Sequence, residues 1–480
     1  MRAKQPGFFQ AIIPLVILMI TAGFSIFVWN VGMFVPLIAG ILAAAILGYL
    51  LGYKWTELEK FLMQGVYRAL TPIFILFLIG TIVGTWILSG VIPTLIYYGL
   101  ALIHPSMFVP AVALTTGILA LSLGSSFTSI ATLGLAFMAI GQSMGFPPAL
   151  VAGAVISGAY LGDKISPLSD TTNVAPAMVD TDLFSHVRHM MWDTIPAFII
   201  SLILYWIVGM QFSFDSANIQ NVQDVMKALD ASFNIQPLLL VLPLFTIVVM
   251  IKRLSAVPSL MLISVLGAVA AAIFQSSTVT EIVTAITNGY TGKTGVKTVD
   301  ALLRRGGITS MLNTIGLIIV ATALGGILEG TGAFKAMTDI FIGKVRRTGS
   351  LILSTLASTF IVGFASGSQF LAVILSARSF TQTYKDRGLA TKNLSRCVEA
   401  AGTVGINLVP WGVPAVFAAG ILGVSPYQFI PYIFFAFLVP IINAIYGYTG
   451  FSIAKQTYSN SESPSSNIEV SDTEAENLRS

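Results

Sequence analysis

A polar stretch of twenty residues, Ser157 to Pro176 (SGAYLGDKISPLSDTTNVAP), interrupts sequence that is otherwise apolar enough for a membrane. The stretch contains Asp163, Lys164 and Asp170, and Pro167 lies between the two aspartates. Because proline removes a backbone donor and clashes with the preceding turn, we predict a broken transmembrane helix. A break at bilayer depth is tolerated only where the freed backbone groups line a protein cavity or water. The break therefore predicts a functional site.

The composition predicts an all-α polytopic membrane protein. Hydrophobic residues make up 55% of the 480 and charged residues 10%, against about a quarter charged in soluble proteins. Apolar runs of about 20 residues, each long enough to span the hydrocarbon core, alternate with shorter runs broken by Gly or Pro. We therefore expect about 10 to 12 transmembrane helices, with re-entrant hairpins and broken helices among them.

Several classes of function are disfavoured. A net charge of +4 argues neither for nucleic acid nor for an acidic partner. One cysteine and three dispersed histidines disfavour a disulfide framework and a metalloenzyme centre. The chain has no Walker-type phosphate loop and no GxSxG elbow. We expect a protein that is not an enzyme, needs no cofactor, and lies in the lipid bilayer.

Charge and composition divide the chain. Basic residues flank the first three spans on one side, which predicts a cytoplasmic amino terminus. Residues 213–234 and 276–307 are expected to be polar loops, and the Ser- and Glu-rich end is expected to be a disordered tail. The predicted units are N-terminal helices at 1–68, a first repeat at 69–211, linker loops and connecting helices at 212–310, a second repeat at 311–455, and the tail at 456–480.

Three short matches indicate the two repeats. Residues 87–90 (ILSG) recur at 327–330 (ILEG), and residues 124–127 (GSSF) recur at 367–370 (GSQF), with separations of 240 and 243. A third match, at a separation of 234, pairs Ser169, Asn173 and Pro176 with Thr403, Asn407 and Pro410. Repeats of secondary transporters are commonly inverted, with the substrate near the midplane where the broken elements meet. We expect the same arrangement here.

Two carboxylates in the broken stretch are the main candidates for ion and proton binding. An ionisable group inside a membrane segment is costly and is by default a functional hypothesis. Because removal from water disfavours the charged form, Asp163 and Asp170 could exchange a proton for a cation. Hard cations prefer oxygen ligands, which would come from Ser166, Ser169, Thr171, Thr172, Asn173, Thr403 and Asn407. The alternatives are that Asp163 pairs with Lys164 at a loop end, and that Asp170 caps the next half-helix.

Other polar residues are weaker candidates. Two predicted hairpin tips, Gly124, Ser125 and Ser126 and then Gly367, Ser368 and Gln369, could present amides and hydroxyls to the site or only pack helices closely. Possible accessory residues are Lys164, Glu399, Arg378 and Glu329. Glu399 could equally lie at the membrane interface near Arg396, Arg378 could snorkel, and Glu329 could be interfacial. His186, Arg188 and His189 are expected in an interfacial turn.

Two motifs resemble those of a known family. GDKISPLSDTTNVAP at residues 162–176 closely resembles the signature of the NhaC-type sodium/proton antiporters, and SLGSSFTSIATLG at 122–134 is similar to that family's first hairpin. The resemblance implies inverted repeats, paired hairpins and a homodimer. It also implies exchange of Na⁺ for H⁺, with exchange of malate for lactate in some members. Asp163, Ser166, Asp170, Thr171, Thr172 and Asn173 match the family's polar block.

The sequence therefore predicts a secondary antiporter of the cytoplasmic membrane that exchanges Na⁺ for H⁺, with Na⁺ as the only metal, bound at the ion site. A carboxylate that binds either ion explains obligate exchange without ATP. The alternative is an organic anion exchanger of the malate/lactate type, in which Lys164 and Arg378 would bind carboxylates.

Overall fold

The fold is that of a helical membrane protein. The computed structural model describes residues 4–29, 31–102, 104–212, 216–252, 256–292, 294–296, 299–300, 303–342 and 347–456. Within these ranges the chain is helical apart from its connections and one isolated β-bridge between Leu389 and Lys455. The predicted disordered tail lies outside the described residues from 457 onward.

The helices follow the apolar runs of the sequence. Before the linker they are Phe8–Phe27, Phe34–Leu50, Trp55–Arg68, Leu70–Leu88, Val91–Leu102, Phe108–Leu123, Ser126–Ser129, Leu135–Ser143, Pro148–Ile165, Asp170–Ala177 and Leu183–Met210. The linker contains Ser216–Ser232, Val241–Ile251, Ala256–Phe274 and Val279–Asn288. After it come Ile308–Gly330, Ala333–Ile342, Thr348–Ser366, Gln369–Asp386, Thr391–Glu399, Val413–Leu422, Pro426–Phe429 and Phe434–Thr449.

Enough of these helices are long and apolar to cross a bilayer several times. In the described ranges seven single helices satisfy the length and hydropathy requirements, and up to ten spans result if each of three bent pairs is one crossing. The bends lie between residues 232 and 237 (98°), 408 and 413 (45°), and 432 and 434 (52°). The expected polytopic all-α fold with broken helices is confirmed.

The helices of residues 70–210 recur in the same order at 308–449. The starts of the helices coincide after a shift of 243 positions from the first hairpin tip onward. Gly124 and Gly367 each end a helix in the left-handed conformation, with φ of 65° and 64°. Pro148–Ile165 corresponds to 391–408, and the half-helices starting at Asp170 and Val413 correspond as well. The five-part division of the chain stays a prediction.

This common shift corrects the third sequence match. The helix breaks place Pro167 opposite Pro410, also 243 positions apart, instead of Pro176 opposite Pro410. Under the corrected register Asp163 corresponds to Ile406, and Thr403 corresponds to Tyr160. The two broken helices therefore share their backbone breaks but carry their carboxylates at different positions. The earlier pairing arose because Ser or Thr, Asn and Pro happen to recur with the same spacing.

The two predicted polar loops are wrong in part, because each contains a helix. Residues 216–232 lack Gly and Pro, and Val225, Ala228, Leu229 and Phe233 recur at helical spacing and are buried. Residues 279–288 form a helix with a capping box, in which Glu281 accepts hydrogen bonds from the backbone and hydroxyl of Thr278. These bonds, the backbone one first, hold the pKa of Glu281 below its ordinary value.

Glycines bring the first broken helix against helix Phe108–Leu123. A Cβ at Gly158 would lie 2.2 Å from the backbone oxygen of Ala113, and one at Gly162 would lie 2.2 Å from the nitrogen of Leu121. No side chain fits at these two positions without movement of the backbone. This close packing fixes the position of Asp163, the residue after Gly162, relative to helix Phe108–Leu123.

The final described segment, residues 450–456, is bound to the start of helix Thr391–Glu399. Asn393 donates to the carbonyl of Ala454 and accepts from its amide, at 2.7 and 3.0 Å. The buried Arg396 donates through Nη1 to the carbonyl and hydroxyl of Ser452, at 3.0 and 2.9 Å. Ala390 also donates to the carbonyl of Ala454. The segment and the helix start therefore form one unit.

Candidate functional site

The first hairpin tip and the first broken helix meet at Asp163. Ser126 donates its hydroxyl hydrogen to Asp163 Oδ2 and Ser169 donates to Oδ1, both at 2.6 Å. Asp163 is 5% exposed, and both serines are buried. Gly124 allows this approach, because a Cβ there would lie 2.5 Å from Leu168 in the break. The contact joins two motifs that are 37 residues apart.

The break supplies further polar groups. The Thr172 hydroxyl donates to the carbonyl oxygens of Asp163 and Lys164, which the helix end leaves without intrahelical partners, at 2.6 and 3.1 Å. Asn173 donates to the carbonyls of Pro167 and Ser169, and Ser166 donates to the carbonyl of Leu121. Side chains of the half-helix thus satisfy the backbone groups freed by the break.

The second broken helix presents another buried carboxylate to the same region. Residues 400–404 form a π-helical turn, a local widening frequently found at functional sites. Thr403 donates to Glu399 Oε2 at 2.8 Å, and Asn407 donates to the carbonyls of Thr403 and Val404. The Thr171 hydroxyl faces Glu399 and is 3.0 Å from the Ser169 hydroxyl, which itself binds Asp163. The hydroxyl groups of Ser169 and Thr171 therefore lie between the two carboxylates.

Neither Asp163 nor Glu399 forms an ion pair among the described residues, although the charge of the buried Lys164 acts on Glu399. Among the described residues the ion pairs are Arg68 with Glu329 and Lys164 with Asp193, and neither includes Asp163 or Glu399. An isolated charge buried in low dielectric costs several kcal/mol. Burial without an ion pair favours a neutralised form of each carboxylate, with a bound proton or cation.

Lys164 forms an ion pair with Asp193 and not with the adjacent Asp163. Its ammonium group lies 3.1 Å from Asp193 Oδ1, and both side chains are fully buried. Asn443 donates to the other oxygen of Asp193, and Thr194 donates to Oδ1 at 3.2 Å. The alternative that Lys164 pairs with Asp163 is therefore not what the structure shows.

Asp170 is exposed at the first position of its half-helix, although it follows the buried Ser169. A carboxylate in the first turn interacts favourably with the helix dipole. The capping residue of this half-helix is Ser169, so the alternative that Asp170 is the cap is not what the structure shows. Of the two aspartates only Asp163 is buried, and the second buried carboxylate of this region is Glu399; the role of Asp170 in ion binding stays a prediction.

Comparison with known proteins identifies the family. The model of the Na⁺/H⁺ antiporter family matches residues 7–172 and 158–451. The chain belongs to the Na⁺/H⁺ antiporter family. It is 38% identical to the Na⁺/H⁺ antiporter NhaC of Alkalihalophilus pseudofirmus, over 90% of this chain and 93% of that protein. The expected resemblance is confirmed over most of the length.

Relatives with other substrates also match. The chain is 35% identical to the malate-2H⁺/Na⁺-lactate antiporter of Bacillus subtilis, over 93% of this chain and 96% of that protein. It is 33% identical to the arginine/ornithine antiporter ArcD of Halobacterium salinarum, over 94% of this chain and 93% of that protein. Membership of the Na⁺/H⁺ antiporter family therefore fixes the transporter class more firmly than the substrate.

The second hairpin tip of this family member resembles the first in backbone. Ser125 and Ser368 are the corresponding caps of the helices that follow the tips, and each accepts from a backbone amide three residues on. Gln369 occupies the position of Ser126, and its side-chain oxygen is buried without a hydrogen-bond partner among the described residues. Gly367 accepts from the amide of Val413, which binds the tip to the second break.

Two accessory candidates lie apart from Asp163 and Glu399. Glu329 forms an ion pair with Arg68, and both side chains are partly exposed, at 27% and 48%. Arg378 is exposed on helix Gln369–Asp386. Neither side chain is in contact with the carboxylates of the broken helices.

A buried polar cluster was missed in the sequence. His186 and His189 lie buried on helix Leu183–Met210, so the predicted interfacial turn is wrong; they contact Ser395 and Asn393 at 2.8 and 3.1 Å. Asp193 lies on the same helix. The signal for Asp193 was a single carboxylate in an apolar helix, which is costly unless it is paired.

Proposed function

We propose that this protein is a secondary antiporter that moves Na⁺ outward across the cytoplasmic membrane in exchange for entering protons, with its amino terminus in the cytoplasm. The observation that supports this most directly is Asp163, a buried carboxylate held by two hydroxyls at a helix break and without a basic partner in the described chain. Its relationship to NhaC antiporters supports the same function. The homodimer stays a prediction.

The mechanism follows from competition at one carboxylate. Oxygens of Asp163, Ser126 and Ser169 are the kind of ligands that Na⁺ prefers. When a proton binds Asp163 the group becomes neutral and loses its attraction for the cation. Only the loaded forms, neutral with H⁺ or with Na⁺, avoid an isolated charge in the membrane. Exchange of one ion for the other therefore requires no ATP.

A direct test uses the purified protein in proteoliposomes that contain a pH indicator. A Na⁺ pulse should move protons in the opposite direction, and Asp163→Asn should abolish this movement. Asp182→Asn is a matched control, because Asp182 is an exposed helix cap and Asn caps equally well. Full exchange by the Asp163→Asn variant would refute the proposed role.

Exchange of malate for lactate is the second candidate, because a relative with that activity matches 93% of the chain. The geometry favours it less. Lys164 is bound to Asp193, and Arg378 is exposed away from the site, so neither cation expected to hold a carboxylate faces it. Uptake of radiolabelled malate driven by internal lactate would support this second candidate, and its absence would leave the cation exchange.

A further inference from the structure

The second broken helix carries oxygen acceptors that the exchange at Asp163 does not use. Glu399 accepts one hydrogen bond through Oε2, while its Oε1 is buried without a partner. Asn407, two turns along, directs its amide nitrogen to backbone carbonyls and leaves its buried Oδ1 without a partner. Buried acceptors are normally satisfied. These two unpartnered oxygens lie on one broken helix, and a ligand that accepts electron pairs, such as a cation, would satisfy them.

Among the described residues no donor side chain forms a hydrogen bond with either oxygen. Glu399 and Asn407 are 0% and 1% exposed, so bulk water does not reach them. Glu399 forms no ion pair among the described residues. The Tyr160 hydroxyl, which faces Asn407 and Ser126, is itself unpartnered. A hard monovalent cation is the ligand that this set of oxygens fits, because such ions bind carboxylate, amide and hydroxyl oxygens.

The repeat register argues against a purely structural role for Glu399. Under the shift of 243 positions Glu399 corresponds to Ile156, and Asp163 corresponds to Ile406. Each repeat therefore builds the same broken helix with an apolar residue where the other has its carboxylate. The backbone break that the repeats share does not require a carboxylate at this position, and a bound ion would offset the cost of burying Glu399.

We propose a second cation site formed by Glu399, Thr403 and Asn407, separate from Asp163, so that each chain binds two Na⁺ ions. This inference rests on the proposed function only in naming Na⁺ as the ion. The π-helical turn at residues 400–404 lies within this site, and its Thr403 donates to Glu399 while Asn407 donates to the carbonyl of Thr403. The hydroxyls of Ser169 and Thr171 lie between the second site and the first.

The test is the number of Na⁺ ions bound by the purified full-length protein. Equilibrium dialysis with radioactive Na⁺ at saturating concentration and alkaline pH should give two ions per chain for the wild type. Glu399→Gln and Asp163→Asn should each give one ion, and the double variant none. Glu329→Gln is the matched control and should give two, because Glu329 is partly exposed and paired with Arg68.

Two outcomes of the Na⁺-binding measurement would refute the second site. One ion per chain in the wild type, or two ions in Glu399→Gln, contradicts it whatever the variants do in transport. Glu399→Asp keeps the charge and should bind a second ion with at least tenfold weaker affinity, which separates loss of the ligand from misfolding. If the wild type binds one ion and still exchanges Na⁺ for H⁺, the second site fails and the proposed function stands.

Discussion

The buried pair of Lys164 and Asp193 gives the most quantitative prediction. The charged atoms are 3.1 Å apart and both side chains are fully buried. At an effective dielectric constant of about 20, the attraction is about 5 kcal/mol. The free-energy cost of removing two ions from water offsets this attraction, so the pair as a whole contributes little to the stability of the fold. Loss of one partner is different, because it leaves the other charge buried and alone.

Asp193→Asn should therefore lower the free energy of unfolding by about 3 to 5 kcal/mol. A loss of 3 kcal/mol corresponds to a change of about 100-fold in the folded-to-unfolded ratio. Lys164→Met should cause a loss of similar size, because it leaves Asp193 without its cation. The double variant should recover most of the stability, since it removes both charges while Asn443 still has an acceptor at position 193.

Equilibrium unfolding of the purified protein in mixed detergent micelles measures all four forms and completes a double-mutant cycle. We expect a coupling free energy of at least about 2 kcal/mol between positions 164 and 193. Single variants that each lose less than about 1 kcal/mol, together with an additive double variant, would show that the pair does not hold buried charges. The same forms should be tested for Na⁺ binding, which the pair is not expected to provide.

Two further changes test the contacts at the first site. Ser126→Ala removes a 2.6 Å hydrogen bond to Asp163, a charge-assisted contact worth about 1.5 to 3 kcal/mol, and should raise the half-saturating Na⁺ concentration more than about tenfold. Ser122→Ala, which loses only a bond to Ile118 of its own helix, should leave that concentration unchanged. Gly158→Val should prevent accumulation of folded protein, because even its Cβ would lie 2.2 Å from the Ala113 oxygen; Gly23→Val, with open space around it, should accumulate normally. Quantification of the monodisperse peak by size-exclusion chromatography decides the glycine test.

The sequence predicted the fold well where the signal is local. Apolar runs predict spans, and Pro167 with its polar neighbours predicted the break at residues 166–169 that the structure contains. The helix at 216–232 was missed because polar residues dominate it, although its apolar residues recur at helical spacing. Overall polarity was read as a loop where periodicity indicated a helix.

The site could be predicted only in part, because its contacts join distant residues. Composition and the break identified Asp163, Ser169 and Thr171, but no local pattern joins Asp163 to Ser126 or brings Glu399 towards Thr171. Asp170 looked equivalent to Asp163 in the sequence, yet a position at the start of the half-helix exposes it. Which of two nearby carboxylates is buried depends on the direction of the helix, which the break itself changes.

The binding of residues 450–456 to the second broken helix has a consequence for how motion could be observed. Asn393 and Arg396 hold this segment at its backbone, only three residues before Glu399 in the case of Arg396. If the helix tilts or shifts as the protein alternates its access, the segment must travel with it. A spin label or fluorophore at the exposed Gln456 would then report the displacement of the buried helix that carries Glu399.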